Sequence, residues 1–498
     1  MAGGLTHPLN EQPIRGTNMN IAFIVDGAAV EAEGGAAFDR KDPMTGKVAT
    51  RAAAATLADV DKVVEAAAKA FESWSETGPS ARRALLLKAA DLMESRTADF
   101  VKLMLEETGA TAPWAGFNVH LAAGILREAA ALTTQITGEV IPSDKPGILS
   151  MAIRQPAGVV LGIAPWNAPV ILGTRAIAAA LACGNTVILR SSEICPGTHH
   201  LIGQVLNDAG FPKGVVNVLS NAPADAAKIV EALIAHPAVR RVNFTGSTKV
   251  GRIIATLAAK HLKPVLLELG GKAPLIVLDD ADIDHAVEAT AFGAFMNQGQ
   301  ICMSTERIIV DDKVADAFVA KLAAKAAKLS AGDPRGHVVL GSLVDLAPAE
   351  RMDVLIADAV AKGAKVVAGG KRSGTVIEAT LLDHVTSAMK IYSEESFGPV
   401  KSIIRVRGAD EAVRVANDTE YGLSAAIFGR DITRALAISR KIQSGICHIN
   451  GPTVADEAQM PFGGMKASGY GRFGGKAVIN EFTDLRWITI EGPQHYPF

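Results

Sequence analysis

Cysteine is scarce in this chain of 498 residues: Cys183, Cys195, Cys302 and Cys447 stand far apart and form no C-x-x-C pair. That argues against a disulfide framework and a paired-cysteine zinc site, and it fits a reducing cytosol. Net charge is scarce too. A formal balance of -2 gives no global attraction to phosphate backbones, so no nucleic-acid partner is expected. Long apolar runs are missing as well. The most membrane-like stretch, "VILGTRAIAAALACGNTVIL" (170–189), is interrupted by Arg175 and a Gly184-Asn185 turn, short of the ~20 clean residues a span needs. It reads as a buried helix, a turn and a buried strand, with no membrane partner. The start, "MAGGLTHPLNEQPIRGTNMN", lacks the apolar core of a signal peptide and reads as a disordered leader over 1–19. The expected location is therefore cytoplasmic. His199, His200, His285 and His448 show no metal-ligand spacing, so no metal site is expected.

What is present is globular: 49% hydrophobic and 20% charged residues, in a chain too long for one core. Helical periodicity covers 57–75 and 79–137. A polar, proline-marked stretch follows, then "ILSMAIRQPAG", which alternates like an exposed strand. From 157 to 278, short runs such as "VVLGIAP", "TVILR", "VVNVL", "RRVNFTG" and "PVLLELGG" alternate with helix-like segments, the pattern of βαβ units in a buried parallel sheet. A second α/β region follows, through "ERIIVDD", "KSIIRV", "AAIFG" and "ICHIN". The tail "EFTDLRWITIEG" reads as a lone strand suited to pairing with another subunit. The fold class is α/β.

"NQGQICMSTER" (297–307) sets Cys302 after a Gly-Gln step and before small hydroxyl residues. It reads either as a small core hydrophobe or as a nucleophile. A nucleophilic role requires a site that favours thiolate, because a free thiol has a pKa near ~8.5. "LLELGGK" (266–272) ends an apolar strand on Glu268. That carboxylate is either a general base at the end of a parallel strand or a structural Glu in a salt bridge, with Lys272 the obvious partner. "IAPWNAP" (163–169) places Asn167 between two prolines, as an oxyanion donor or as turn chemistry. No G-x-G-x-x-G follows a strand here. Instead "FTGST" (244–248) gives a strand, a turn and a helix start, either a set of N–H groups that suits a diphosphate or an ordinary βα turn with a Ser/Thr cap. "VILRSSE" (187–193) and "EESFGP" (394–399) each present a carboxylate able to accept from ribose hydroxyls.

PWN at 165–167, FTGST at 244–248, ELGGK at 268–272, GQxC at 299–302, ExFGP at 395–399 and "PFGGMKASGYGR" at 461–472 occur in one order. Together they resemble the aldehyde dehydrogenase superfamily over nearly the whole chain. The resemblance implies a Rossmann-like dinucleotide-binding domain (20–137 and 157–268), an α/β catalytic domain (269–478) and a small β-strand oligomerisation extension (138–156 and 479–498). It implies a homodimer or homotetramer. By the same resemblance Cys302 is the nucleophile, Glu268 the general base, and Asn167 the oxyanion donor with the Cys302 backbone N–H. Cofactor contacts fall to Trp166, Arg190, Glu193, Gly246, Ser247, Gly251, Leu269, Glu395 and Phe397. Glu193 repels a 2′-phosphate and favours NAD, while Arg190, where the family commonly has Lys, partly offsets that and leaves NADP possible. Relatives that pass the acyl group to coenzyme A typically lack the Glu at 268, so hydrolysis is favoured. Ala176 stands where a Lys is frequent, with Arg175 beside it.

The stretches "LLLKAADLMES", "WAGFNVH" and "QGQICMSTERIIVD" look like dehydrogenases of aromatic aldehydes, the salicylaldehyde, vanillin and benzaldehyde type. On that resemblance Trp114, Met303 and Phe462 line a slot for a flat ring, or else pack in the core. Arg175 meets the substrate or forms a structural ion pair. The alternatives to an aromatic substrate are an aliphatic aldehyde or semialdehyde, or a cysteine esterase or acyltransferase without a redox step.

Overall fold

Runs of Val, Ile and Leu with no polar alternation need cover on both faces, and the chain supplies it with helices. The structure, a computed structural model, describes residues 19–498. Strands Val159–Ile163, Thr186–Arg190, Val216–Leu219, Val239–Thr245 and Val265–Glu268 pair in parallel. In space Val159–Ile163 lies between Thr186–Arg190 and Val239–Thr245, so the strand order reverses beside it. The crevice beyond the carboxyl ends of such strands is where ligands of open α/β sheets bind. The hairpin Phe23–Val25 and Ala28–Val30 closes one edge, and Gly469–Tyr470 adds an antiparallel strand to the other.

The helical stretch 79–137 divides into Pro79–Ser95, Thr97–Thr108 and Ala112–Leu132. Gly109 supplies one break, capping its helix in the left-handed conformation at φ 72°. A second sheet of seven strands holds Thr305–Asp311 between Ala273–Val277 and Val400–Val406, all parallel. Only Lys365–Ala368, at its edge, runs antiparallel. The tail strand Thr483–Ile490 is not alone, as its sequence suggests: it pairs antiparallel with Leu149–Pro156 of the same chain along its whole length. Glu139–Ile141 completes this small third sheet. Local patterning cannot reveal a partner strand more than 300 residues away. The leader expected over 1–19 lies outside the described residues except for Met19, which already belongs to the strand Met19–Ile21. No helix among the described residues is long and apolar enough to cross a membrane.

Asn185 shows how the first sheet is fastened. It is fully buried, its Oδ1 accepts from the Ala157 and Gly158 N–H groups, and its Nδ2 donates to the carbonyls of Ala180 and Phe482. Asn185→Ala removes the partner of the Ala157 and Gly158 N–H groups and of the Phe482 carbonyl, while the Ala180 carbonyl keeps the backbone N–H of residue 185. A loss of about 2–3 kcal/mol is expected, read as a lowered thermal midpoint with kcat retained.

Candidate active site

The helix Ile283–Phe295 ends in a tight turn, Met296–Gly299, where Asn297 (φ 48°) and Gln298 (φ 55°) both adopt left-handed backbone. Non-glycine residues hold that conformation only where their surroundings fix it. The fixing bonds are present. Gln298 Nε2 donates to the Ser342 carbonyl at 3.0 Å, and Gln300 Oε1 accepts from the Val344 N–H at 3.1 Å. The Ser304 hydroxyl, one of the small hydroxyls after the cysteine, donates to the Gly293 carbonyl at 3.1 Å. Cys302 is thereby presented just before the strand Thr305–Asp311, on the floor of a cavity of about 280 Å³.

Asn167 reaches the same cavity from the end of Val159–Ile163. Its Nδ2 donates to the Gln300 carbonyl at 3.0 Å, which commits one N–H and leaves the other. Its own backbone carbonyl accepts from Trp114 Nε1 and from Asn297 Nδ2, each at 3.0 Å. The amide is therefore held from both ends.

Glu268 ends the strand Val265–Glu268 and is 2% exposed. Its backbone is clamped by Gly246 N–H donating to its carbonyl at 3.0 Å and by the Leu269 N–H donating to Ser468 O. Neither carboxylate oxygen has a hydrogen-bond partner among the described residues. Burial pushes the carboxyl up to about 8; the charges of Arg175 and Arg472 draw it back only partly, and the nearby Gly464 amide falls short of hydrogen-bond geometry. The alternative of a salt bridge to Lys272 does not occur, because Lys272 Nζ is bonded to Glu306 at 2.7 Å. Three residues further on, a Cβ on Gly271 would stand 2.2 Å from the Cys302 carbonyl oxygen, so only glycine lets the two segments meet.

The thiol departs from expectation. Burial, then the charges of Glu268 and Glu395, push Cys302 well above the ordinary thiol range. A nucleophile is usually expected to be lowered. Here burial and the two neighbouring carboxylates favour the thiol over the thiolate.

Besides Asn167 and Cys302, the cavity is lined by Trp166, Gly246, Ser247, Leu269, Glu395 and Phe397, so six of the nine expected cofactor residues meet there. Ser247 caps the helix Thr248–Lys260, its hydroxyl accepting from the Val250 N–H. Gly251 lies in that helix, where a Cβ would stand 2.3 Å from Leu269 Cδ2. It brings the helix down onto Leu269 without lining the cavity. Phe397, at φ 48°, meets Trp166 edge-on with ring centroids 5.7 Å apart. Arg190 and Glu193 lie at the end of the adjacent strand and pair with each other through both guanidinium nitrogens. Asn221 Oδ1 takes the third Arg190 donor at 2.8 Å.

The expected substrate residues sit differently. Trp114, Met303 and Phe462 are 3–5% exposed and belong to the large core under the first sheet, outside the cavity. Arg175 forms a buried ion pair with Asp456 at 2.6 Å and lies 4.6 Å above the Phe462 ring. Sequence reasoning missed Asp456, Asn297 and Gln300. Asp456 is 281 positions from Arg175, and no spacing signals that pairing. Asn297 and Gln300 had a weak signal, since both flank the Gly-Gln step already singled out.

With this geometry in hand, comparisons with known proteins converge. The family model described as "Aldehyde dehydrogenase family" matches residues 29–488. The chain is 62% identical to a vanillin dehydrogenase of Pseudomonas fluorescens, covering 96% of this chain and all of that one. It superposes on the crystal structure of a salicylaldehyde dehydrogenase from Pseudomonas putida G7 complexed with salicylaldehyde with a TM-score of 0.95, at 54% identity, covering 96% of this chain and 100% of the other. An NADP-dependent glyceraldehyde-3-phosphate dehydrogenase from Bacillus halodurans C-125, complexed with NADP, gives a TM-score of 0.91 at 34% identity over 95% of this chain and 99% of that one. The chain belongs to the aldehyde dehydrogenase family.

Proposed function

We propose that this enzyme oxidises an aromatic aldehyde to its carboxylic acid with NAD, through an acyl group carried on Cys302. The observation that carries the reading is the opening of Cys302 and Asn167 onto one cavity, with an unpartnered Glu268 buried behind it. The aromatic substrate is supported by the 62% identity to a vanillin dehydrogenase and the likeness to the salicylaldehyde complex.

The residues present fit a dinucleotide. The first turn of Thr248–Lys260 offers backbone N–H groups to a diphosphate beside Gly246 and Ser247. Glu395 and Phe397 stand at the ribose end, and Trp166 packs on Phe397. At the adenosine end Glu193 is a carboxylate already neutralised by Arg190. It accepts ribose hydroxyls and leaves the arginine no free fork for a 2′-phosphate, which favours NAD.

The Cys302 thiol gives up its proton to solvent as the sulfur attacks the aldehyde carbon, and the carbonyl oxygen takes on the negative charge. The second Asn167 N–H and the Cys302 backbone N–H receive that charge. Removing one such donor typically costs about 10²–10³ in rate. When bound, the nicotinamide supplies the hydride acceptor that leaves a thioester on Cys302. Glu268 then takes a proton from water, the oxygen attacks the thioester, and the acid leaves with the thiol restored. Burial of Glu268 raises its basicity, and the absence of partners leaves both oxygens for water. A general base so placed contributes about 10²–10⁴-fold. The small sheet exposes Val140, Leu485 and Trp487 along its strands, and a second copy of the chain covers it in a homo-oligomer.

Glu268 acts as base only when ionised, so below its raised pKa the group is protonated and deacylation slows. The steady-state rate is expected to climb with pH through about 8 and then level. Glu268→Gln should keep a burst of NADH, stall afterwards and lose that rising limb, all measurable by stopped-flow absorbance. Equal loss of burst and steady rate would remove Glu268 from the hydrolytic step. Glu193→Gln frees Arg190 and should raise the NADP-to-NAD ratio of kcat/KM by about tenfold; an unchanged ratio places the ribose elsewhere. In an aldehyde panel, benzaldehyde-type substrates should exceed hexanal by at least about tenfold in kcat/KM. The reverse order overturns the aromatic assignment and leaves the family standing.

A further inference from the structure

Lys272, Glu306 and Lys401 lie behind the cavity and take no part in the steps above. Their side chains are 0%, 2% and 0% exposed. One Glu306 oxygen accepts from Lys272 Nζ at 2.7 Å and from the Ser396 N–H at 2.8 Å. The other accepts from Lys401 Nζ at 2.8 Å and from the Ser396 hydroxyl. Two amino groups therefore face one buried carboxylate. A buried charge left over from such a group is costly unless another charge answers it.

The answering charge on this side of the sheet is Glu395, next to Ser396 in the chain. Its Oε1 accepts from the Gly271 N–H at 2.9 Å, immediately before Lys272. A Cβ on Gly270 would stand 2.9 Å from its Oε2. A Cβ on Gly299 would stand 3.0 Å from Lys401 Nζ, which sets that ammonium against the turn before Cys302. The other groups facing this cluster are accounted for. Tyr421 and Cys302 feel the Glu395 charge and are both pushed up by it. Arg351 donates to the Glu395 and Ser396 carbonyls and reaches Glu394 at 3.9 Å. Arg307 is spent on the carbonyls of Lys272, Val415 and Ala416, with Asp418 and Tyr392 on its far side.

We propose that Lys272, Glu306 and Lys401 are positioning residues whose net positive charge draws on the Glu395 carboxylate and holds its loop for the nicotinamide ribose. The proposal rests on the reading above that Glu395 faces that ribose. Two positive and two negative charges then balance in one enclosed unit. Burial pushes Glu395 up to about 7, with Glu306 adding to the push, while the Gly271 N–H and the two lysines oppose it. Its ionisation therefore falls in the working range and responds to each neighbour.

The test is the pH profile of KM for NAD in the full-length enzyme. In the unaltered protein KM should rise as pH falls through about 7, as Glu395 gains a proton. Lys401→Met removes a positive charge and should move that limb about one unit to higher pH. Glu306→Gln removes a negative charge and should move it about one unit to lower pH. Opposite displacements are the outcome a merely structural role does not produce. Glu395→Gln should flatten the profile; a KM unchanged at every pH in that variant instead removes Glu395 from the ribose. If Glu395→Gln flattens the profile but the other two variants shift it the same way, or not at all, the charge-holding role is overturned. Where Lys401→Met does not fold, the double variant Lys401→Met/Glu395→Gln decides, and where Glu306→Gln does not fold, Lys401→Met/Glu306→Gln decides. Charge balance is restored there, so recovered folding supports the proposal and continued failure overturns it.

Discussion

The site depends on one close contact, Gly271 against the carbonyl of Cys302, where an added Cβ would stand 2.2 Å from oxygen. The first sheet ends on Glu268 and the second begins at Ala273, so four residues carry the chain from one layer to the other. Those residues must pass flush against the Cys302 segment if Glu268 and the thiol are to stand near one another. Two glycines make that passage possible, and neighbours lock it. Ser468 Oγ donates to the Gly270 carbonyl at 2.6 Å while accepting from the Gly422 N–H, and Gly271 N–H is taken by Glu395. A side chain at 271 forces the nucleophile loop away from the strand end. The base, the thiol and the ribose carboxylate then lose their common reference at once.

Desolvation is the second constraint, and it acts in one direction on all three groups. Cys302, Glu268 and Glu395 are each pushed up chiefly by burial, and the two carboxylates push the thiol further. A resting thiolate would add negative charge beside two carboxyl groups that burial already holds back from ionising. Burial and the neighbouring carboxylates thus favour the thiol over the thiolate at Cys302. A pre-ionised cysteine would react with any electrophile that entered. A neutral one beside a raised carboxylate keeps its reactivity conditional on what the cavity holds.

Much of this was legible in the sequence because the residues gathered around the cavity occur in short, ordered motifs. Cys302, Asn167 and Glu268 were readable that way, as were the turn at Gly246 and Ser247 and the alternation that builds the two sheets. What escaped reading was long-range. Nothing near Arg175 names Asp456, and nothing near Lys272 says that its charge goes to Glu306 and not to Glu268. The tail Thr483–Ile490 looked unpaired because its partner lies far back in the chain. Local chemistry is written in local sequence, whereas charge pairing and strand pairing are settled only when the whole core closes.

The aromatics, only 5% of the chain, show how sparing use serves positioning. Trp114 is buried outside the cavity, yet its indole N–H fixes the backbone carbonyl of Asn167, and Asn297 holds the same oxygen. With Nδ2 tied to Gln300, the Asn167 amide has little rotational freedom to lose when charge develops on the substrate oxygen. An oxyanion donor is effective in proportion to the reorganisation it avoids. A core tryptophan thus bears on the chemistry without touching it, through a single bond to the residue that does. The same logic explains the left-handed backbone of Asn297. Its strained turn is held by contacts to Asn167 and to the 342–344 segment, and in return it carries Gln300 to the place where Asn167 needs an acceptor.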